Sequence, residues 1–297
     1  MIIVKPITIT DAALISSSVA EDDHAAWVAE TTYSPGAKVI RTATHRRYEA
    51  LATTTGDTPE SSPDQWLDLG ATNRWAMFDD SLFTQTTHTT GALELELQLG
   101  AAWDSIAIFN AQAGSVRVQV HDASGELALH DETYVLSPTI SEPSWHQWFF
   151  TTREYRPERF IQGIQAYGSS VATLTFAPSL GGVSIGMLAI GRARGIGATL
   201  YGIELGIMDF SVKTRDEFGR QRLVERNYAD TMRLDVVVEK ARFAQLKREL
   251  AALRAQPCVY VEPAEIATLL YGWYNDFTMA IPEHNHYRIA LNLEGFA

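Results

Sequence analysis

From Leu93 to about Leu205 the chain alternates apolar and polar residues with a period of two and shows almost no helical spacing. "ALELELQL" does so without a break, and "DSIAIFNAQ", "GSVRVQVHD", "ATLTFAPS" and "VSIGMLAIGRA" follow, separated by turn residues. Successive side chains of a strand point to opposite faces, so segments of this kind bury one row each by packing sheet on sheet. Many short strands without helices predict a β-sandwich or jelly roll over residues 73–205, and a mainly β fold for the whole chain. The glycines of "IGMLAIGRARGIG" fit places where strands bend or backbone approaches backbone. No apolar helix follows them, so they are not a dinucleotide-binding turn.

The flanks differ from this centre. Residues 1–22 form an N-terminal segment. Residues 23–72 are rich in Thr, Ser, Pro and Gly with widely spaced aromatics, which predicts a small β module with turns at Ser34-Pro35-Gly36 and Gly56-Asp57-Thr58-Pro59. Its core is expected to rest on Trp27, Tyr33, Tyr48 and Trp66, with Val39. Residues 206–297 read as an α+β unit: a strand in "TMRLDVVVEK", a helix from about Glu239 to Ala255, then three strands. Phe243, Leu246, Leu250 and Leu253 recur at helical spacing, and Pro257 stops the helix.

Charge and motif content exclude several functions. The formal net charge is −12, with 36 acidic against 24 basic residues, so a phosphate-tracking surface and a nucleic-acid partner are not expected. Cys258, the single cysteine, builds neither a disulfide nor a thiolate metal site. "MIIVKPITITDAALISSS" is interrupted by Pro6, Thr8, Thr10 and Asp11, unlike a secretory leader, and no run of about 18 apolar residues occurs elsewhere, so synthesis in a cytoplasm without membrane insertion is expected. Asp79 and Asp80 are adjacent carboxylates, but after "WAMF" such a pair closes a turn more readily than it hydrolyses a glycosidic bond. His284 and His286 share the spacing of two metal ligands on a strand, yet "PEHNHY" has turn composition. H-E-x-x-H and phosphate-loop signatures are missing, and no catalytic residue, metal or cofactor is expected.

The spacing of Trp27, Tyr33, Gly36, Val39, Tyr48, Ala50, Gly56, Pro59 and Trp66 resembles the chitin-binding type of carbohydrate-binding modules, families 5 and 12. Tyr48, Glu49 and Ala50 match that family's Y-x-A segment, while Ala52 and Thr53 stand where its sugar-stacking tryptophans would be. The resemblance implies the scaffold without its aromatic platform. That module, followed by "GATNRWAMFDDS", "DSIAIFNAQAGSVRVQV" and "IGMLAIGRARGIG", also resembles tail proteins of tailed bacteriophages. By that resemblance the middle region looks like a galactose-binding-type jelly roll, and the C-terminal unit like the hub-forming domain of siphophage distal tail proteins. The implied role is a structural virion protein of the tail tip or baseplate. It would form a trimeric or hexameric ring with itself and adapt the tail tube to other tail-tip and receptor-binding proteins. The alternative is a tail protein that binds host surface glycan during adsorption.

Two aromatic groups are candidate surfaces. Trp145 and Trp148 in "SWHQWFF" mark either an exposed glycan-binding loop or an ordinary strand entry. Tyr271, Trp273, Tyr274 and Phe277 crowd seven positions of one strand, so aromatics emerge on both faces, one of which is expected to meet a partner copy. Lys240, Arg242, Lys247, Arg248 and Arg254 are expected to steer that association.

Overall fold

The computed structural model describes residues 1–297 apart from 137–144, 146–156, 180, 216, 263–267, 282–285 and 297. The protein is mainly β, with one large curled antiparallel sheet and a single long helix among the described residues. The large sheet has eleven strands. Its main path runs Arg159–Ala166, Trp103–Gln112, Val183–Gly195, Ile2–Pro6, Cys258–Glu262, Thr268–Ala280, His286–Gly295, Tyr228–Glu239 and Ala198–Thr199. Thr86–His88 pairs with Val183–Gly195, and Glu204–Asp209 pairs with Tyr228–Glu239.

One face of this sheet carries two covers. Over its first strands lies a five-stranded sheet in the order Ala128–Val135, Ser115–His121, Val171–Ala177, Leu93–Leu97 and Leu14–Ser17. The alternation seen in the sequence is what joins them: Leu93, Leu95, Leu97, Val116, Val118 and Val120 pack against Ile106, Ile108, Leu188 and Ile190 in one buried core. Over the later strands lies the helix Lys240–Ala252, whose Leu246 and Leu250 are buried among Leu234, Val236, Tyr260 and Leu291. It is shorter than the expected span because the chain turns at Ala255, where φ is +54°. The Tyr274 hydroxyl donates to the Leu250 carbonyl at 2.7 Å, satisfying one of the acceptors a helix end leaves open.

The other face holds a third core, made by Val4, Phe109, Met187, Val259 and Tyr271. The sheet curls around it until its two ends come within electrostatic reach. Loss of water around Glu158, just before one end strand, and the charge of Asp230 near the other push its carboxyl up to about 7.

The domain limits drawn from composition do not match the pairing. Ile2–Pro6 lies between Val183–Gly195 and Cys258–Glu262, so the N-terminal segment joins the middle and C-terminal regions into one sheet. Leu14–Ser17 belongs to the five-stranded sheet, and the 205/206 boundary falls inside the strand Glu204–Asp209. A period of two marks a strand but carries no record of its neighbours, so pairing this distant left no local trace. A Cβ at Gly191 would collide with the Lys5 carbonyl, which is why glycine stands where these strands meet. Residues 23–72 do form sheets of their own, Lys38–Arg41, Arg46–Ala50 and Trp66–Ala71 in one and Thr32–Tyr33 with Thr54–Thr55 in another.

Cys258 sits fully inside, on a central strand, and burial pushes its thiol up to about 11. At pH 8 it is both protonated and inaccessible, so Ellman's reagent is expected to leave the native protein unlabelled and to titrate one thiol in denaturant. Rapid labelling of the native protein would contradict this placement. Among the described residues no helix is long and apolar enough to cross a membrane.

Candidate assembly surface

From Leu200 to Tyr228 the chain forms an arm at the rim of the large sheet. Its first strand, Glu204–Asp209, is exposed at all six positions and, among the described residues, pairs on one side only, Leu205 opposite Met232 and Ile207 opposite Asp230. The chain then turns at Asp209, whose Oδ1 accepts from the Ser211 backbone N–H at 2.8 Å and whose Oδ2 lies 2.7 Å from Lys213 Nζ. Hydrogen bonds from Lys213 and Ser211 hold the Asp209 carboxyl well below the usual range. Beyond it Val212–Arg215 and Gln221–Val224 form a hairpin with no third strand among the described residues, turning through Gly219 at φ +79°. The Arg226 N–H donates to Ser211 Oγ at 3.1 Å and closes the hairpin's base.

This arm exposes apolar side chains on an open strand edge. Ile207 is 64% exposed, and Leu205, Phe210, Leu223 and Val224 are exposed around it. A two-stranded hairpin is marginal in water by itself, and an open apolar edge strand is a template for pairing with another chain. Clustered exposed apolar groups of this kind mark interaction surfaces.

The aromatics expected to form the assembly interface lie elsewhere; Tyr271 is buried, and Trp273, Tyr274 and Phe277 are half-buried. Tyr271 stacks on Phe296 with centroids 5.2 Å apart and donates to Asp80 Oδ1 at 2.7 Å. Trp273 meets the same Phe296 edge to face at 4.9 Å. Tyr274 and Phe277 contact each other at 5.5 Å and pack against the core under the helix. Strict alternation would have put Phe277 with Tyr271 and Trp273. A register shift between Tyr274 and Asp276 moves it to the opposite face, beside Tyr274.

In the small module, Tyr48 and Trp66 are buried with Val39 and Ala50, and Trp27 and Tyr33 are partly buried against them. Tyr33 meets Trp66 edge to face at 5.2 Å, and Trp66 Nε1 donates to the Asp57 carbonyl at 3.0 Å. Arg41 lies over the Trp27 ring at 4.7 Å. None of these four rings forms an open platform. Trp145 is 79% exposed, whereas Trp148 lies outside the described residues.

Asp79 and Asp80 turn to different partners. Asp79 accepts from Thr84 Oγ1 at 2.7 Å and from the Ser81 N–H at 2.9 Å, which closes its loop, and burial pushes its carboxyl up. Asp80 takes the Tyr271 hydroxyl; burial first, then this carboxylate, pushes that phenol up. His284 lies outside the described residues, and His286 opens the last strand opposite Glu239. Among the described residues no three His, Cys, Asp or Glu are grouped to hold a metal.

One residue that sequence reasoning passed over fixes the module to the rest. His45, at φ +55°, stacks on Trp75 at 4.0 Å, with Nδ1 3.0 Å from Glu21 Oε1 and Nε2 3.1 Å from Asp11 Oδ1. Thr72 Oγ1 also donates to Glu21 at 3.0 Å. A histidine in a turn gives no signal of such partners, because they are distant in sequence.

No protein-family model matches the chain, and no curated protein matches it in sequence. Among solved structures it has a weak likeness to a carbohydrate-binding module, chitosan-binding module 1 of a chitosanase/glucanase from Paenibacillus sp. IK-5. That likeness has 17% identity and a TM-score of 0.27 over 39% of this chain and 82% of the other.

Proposed function

We propose that this chain is a non-enzymatic structural subunit that assembles with copies of itself into a ring, trimeric or hexameric, at the tail tip of a tailed bacteriophage. The observation that carries the assembly is the arm: a strand exposed at all six positions and a hairpin whose strands are exposed apart from the half-buried Val212. A strand edge of this kind is satisfied by another chain, and head-to-tail contacts close into rings when the rotation permits. The tail-tip location, and the partners it brings, tail-tube and receptor-binding proteins, rest on the sequence resemblance described above. The exposed indole of Trp145 favours the second reading, a tail protein that holds host glycan, since a flat apolar ring in solvent suits stacking on sugar.

The test is the mass of the full chain in solution by sedimentation, alone and mixed with tail-tube protein. A discrete oligomer is expected, and replacing Leu205 and Ile207 by Asp is expected to return it to monomer without loss of secondary structure. A wild-type chain that stays monomeric in both settings removes the assembly reading. Glycan-array binding lost on Trp145→Ala would then put the second reading first.

A further inference from the structure

The two covers on the large sheet leave a seam. Between the five-stranded sheet and the helix runs a cleft of about 690 Å³. Its floor is the face of the large sheet at Ile3, Lys5, Arg192 and Arg194; Leu246, Leu250 and Leu253 wall one side, and the Ala101-Ala102 loop the other. Lys5 stands directly opposite Arg192 in the strand register, and Ile3 opposite Arg194, so all four side chains share this face. Ile3 is part of the core beneath the helix, which fixes the face as the covered one.

The charges there run against the rest of the chain. Like charges directly across a strand pair are destabilising, yet Lys5 faces Arg192, Arg194 follows on the same row, and Arg248 reaches the cleft from the helix. None of the four has an ion-pair partner among the described residues. The single carboxylate among the described lining residues, Glu249, accepts from Gln245 Nε2 at 2.8 Å. In a chain of net charge −12, four exposed cations with one carboxylate among them make this cleft the place where an anion from outside is favoured. Gln256, at the edge of the same cleft, has its Oε1 shielded from solvent without a hydrogen-bond partner. The remaining lining is aliphatic, and no described lining residue is aromatic, so nothing there stacks on a sugar ring.

We infer that this cleft binds a single-chain anionic amphiphile, with its aliphatic tail along Leu246, Leu250 and Leu253 and its carboxylate or phosphate held by Lys5, Arg192 and Arg194. The volume lies within the usual range for small-ligand sites, and arginine forks suit both head groups. The inference is independent of ring assembly and of the phage reading.

Calorimetric titration of the full chain tests it, with each amphiphile kept below its aggregation threshold. Dodecanoate and dodecyl phosphate are expected to bind at one per chain, dodecanol and inorganic phosphate at least tenfold more weakly. Shortening the fatty acid is expected to cost up to about fourfold in affinity for each methylene lost from the cleft. The double variant Lys5→Gln, Arg192→Gln should lose at least tenfold for dodecanoate, and Arg117→Gln, on the far sheet, should lose nothing. Ala102→Trp, at an exposed loop position, narrows the cleft and should weaken dodecanoate binding even if the double variant does not fold. Absence of saturable binding by both anions overturns the inference. So does dodecanol binding as tightly as dodecanoate, inorganic phosphate binding as tightly as dodecyl phosphate, or affinity that ignores both chain length and Ala102→Trp.

Discussion

Val4→Asp is expected to destabilise the whole protein by about 3–5 kcal/mol, the cost of an uncompensated buried charge. Val4 is 1% exposed, packs with Phe109, Met187, Val259 and Tyr271, and stands in register between Ala193 and Val259. The residues it packs with in that core carry no charge to pair with the new carboxylate. The strand that carries it is shared by the middle and C-terminal regions, and both are expected to loosen together. Denaturant unfolding followed by intrinsic fluorescence would show an earlier, still joint transition, while Val4→Ile should cost less, about 1–3 kcal/mol for one added methylene. Wild-type stability, or loss of one region while the other melts unchanged, would reject the shared-sheet account.

Trp66→Ala is expected to have an effect of similar size but confined to the small module. Removing a buried tryptophan costs about 3–5 kcal/mol. Trp66 is 2% exposed, supports Tyr33 edge-on, and ties the Gly56–Pro59 turn through its bond to Asp57. A module of about fifty residues has little reserve to set against that loss. Limited proteolysis should therefore cut the variant between residues 23 and 72 while the large sheet stays intact, and Leu67→Ala, at an exposed position on the same strand, should behave as wild type. A module that still resists protease after Trp66→Ala would show that its core lies elsewhere.

These two sites also show what the sequence disclosed. The strands of the sandwich were legible because Leu93, Leu95 and Leu97 alternate with Glu94 and Glu96, and the helix because Leu246 and Leu250 recur at its own period. Those signals are local. Val4 gave no hint that its neighbours would be Ala193 and Val259, since register between distant strands is chosen by the assembled core. The arm was hidden for the opposite reason. Leu205 and Ile207 alternate with Glu204 and Gly206 as core strands do, and periodicity does not tell whether the apolar row meets its own chain or another. The interface was expected at Tyr271 to Phe277, where the one-residue shift in register was also invisible.

The shared strand has a consequence for biosynthesis. Ile2–Pro6 leaves the ribosome before either of its neighbours, and its second neighbour, Cys258–Glu262, follows only when most of the chain has been translated. Until Val183–Gly195 is made both hydrogen-bonding edges of this apolar segment are open, and from then until Cys258–Glu262 follows one of them stays open. Local folding cannot close that gap early, because the contacts concerned are among the most distant the chain makes, and such contacts form slowly. Release of a product truncated before Cys258–Glu262 would leave Ile2–Pro6 with one open edge, in a state prone to aggregate. The largest sheet is therefore completed late, only after Cys258–Glu262 has been made.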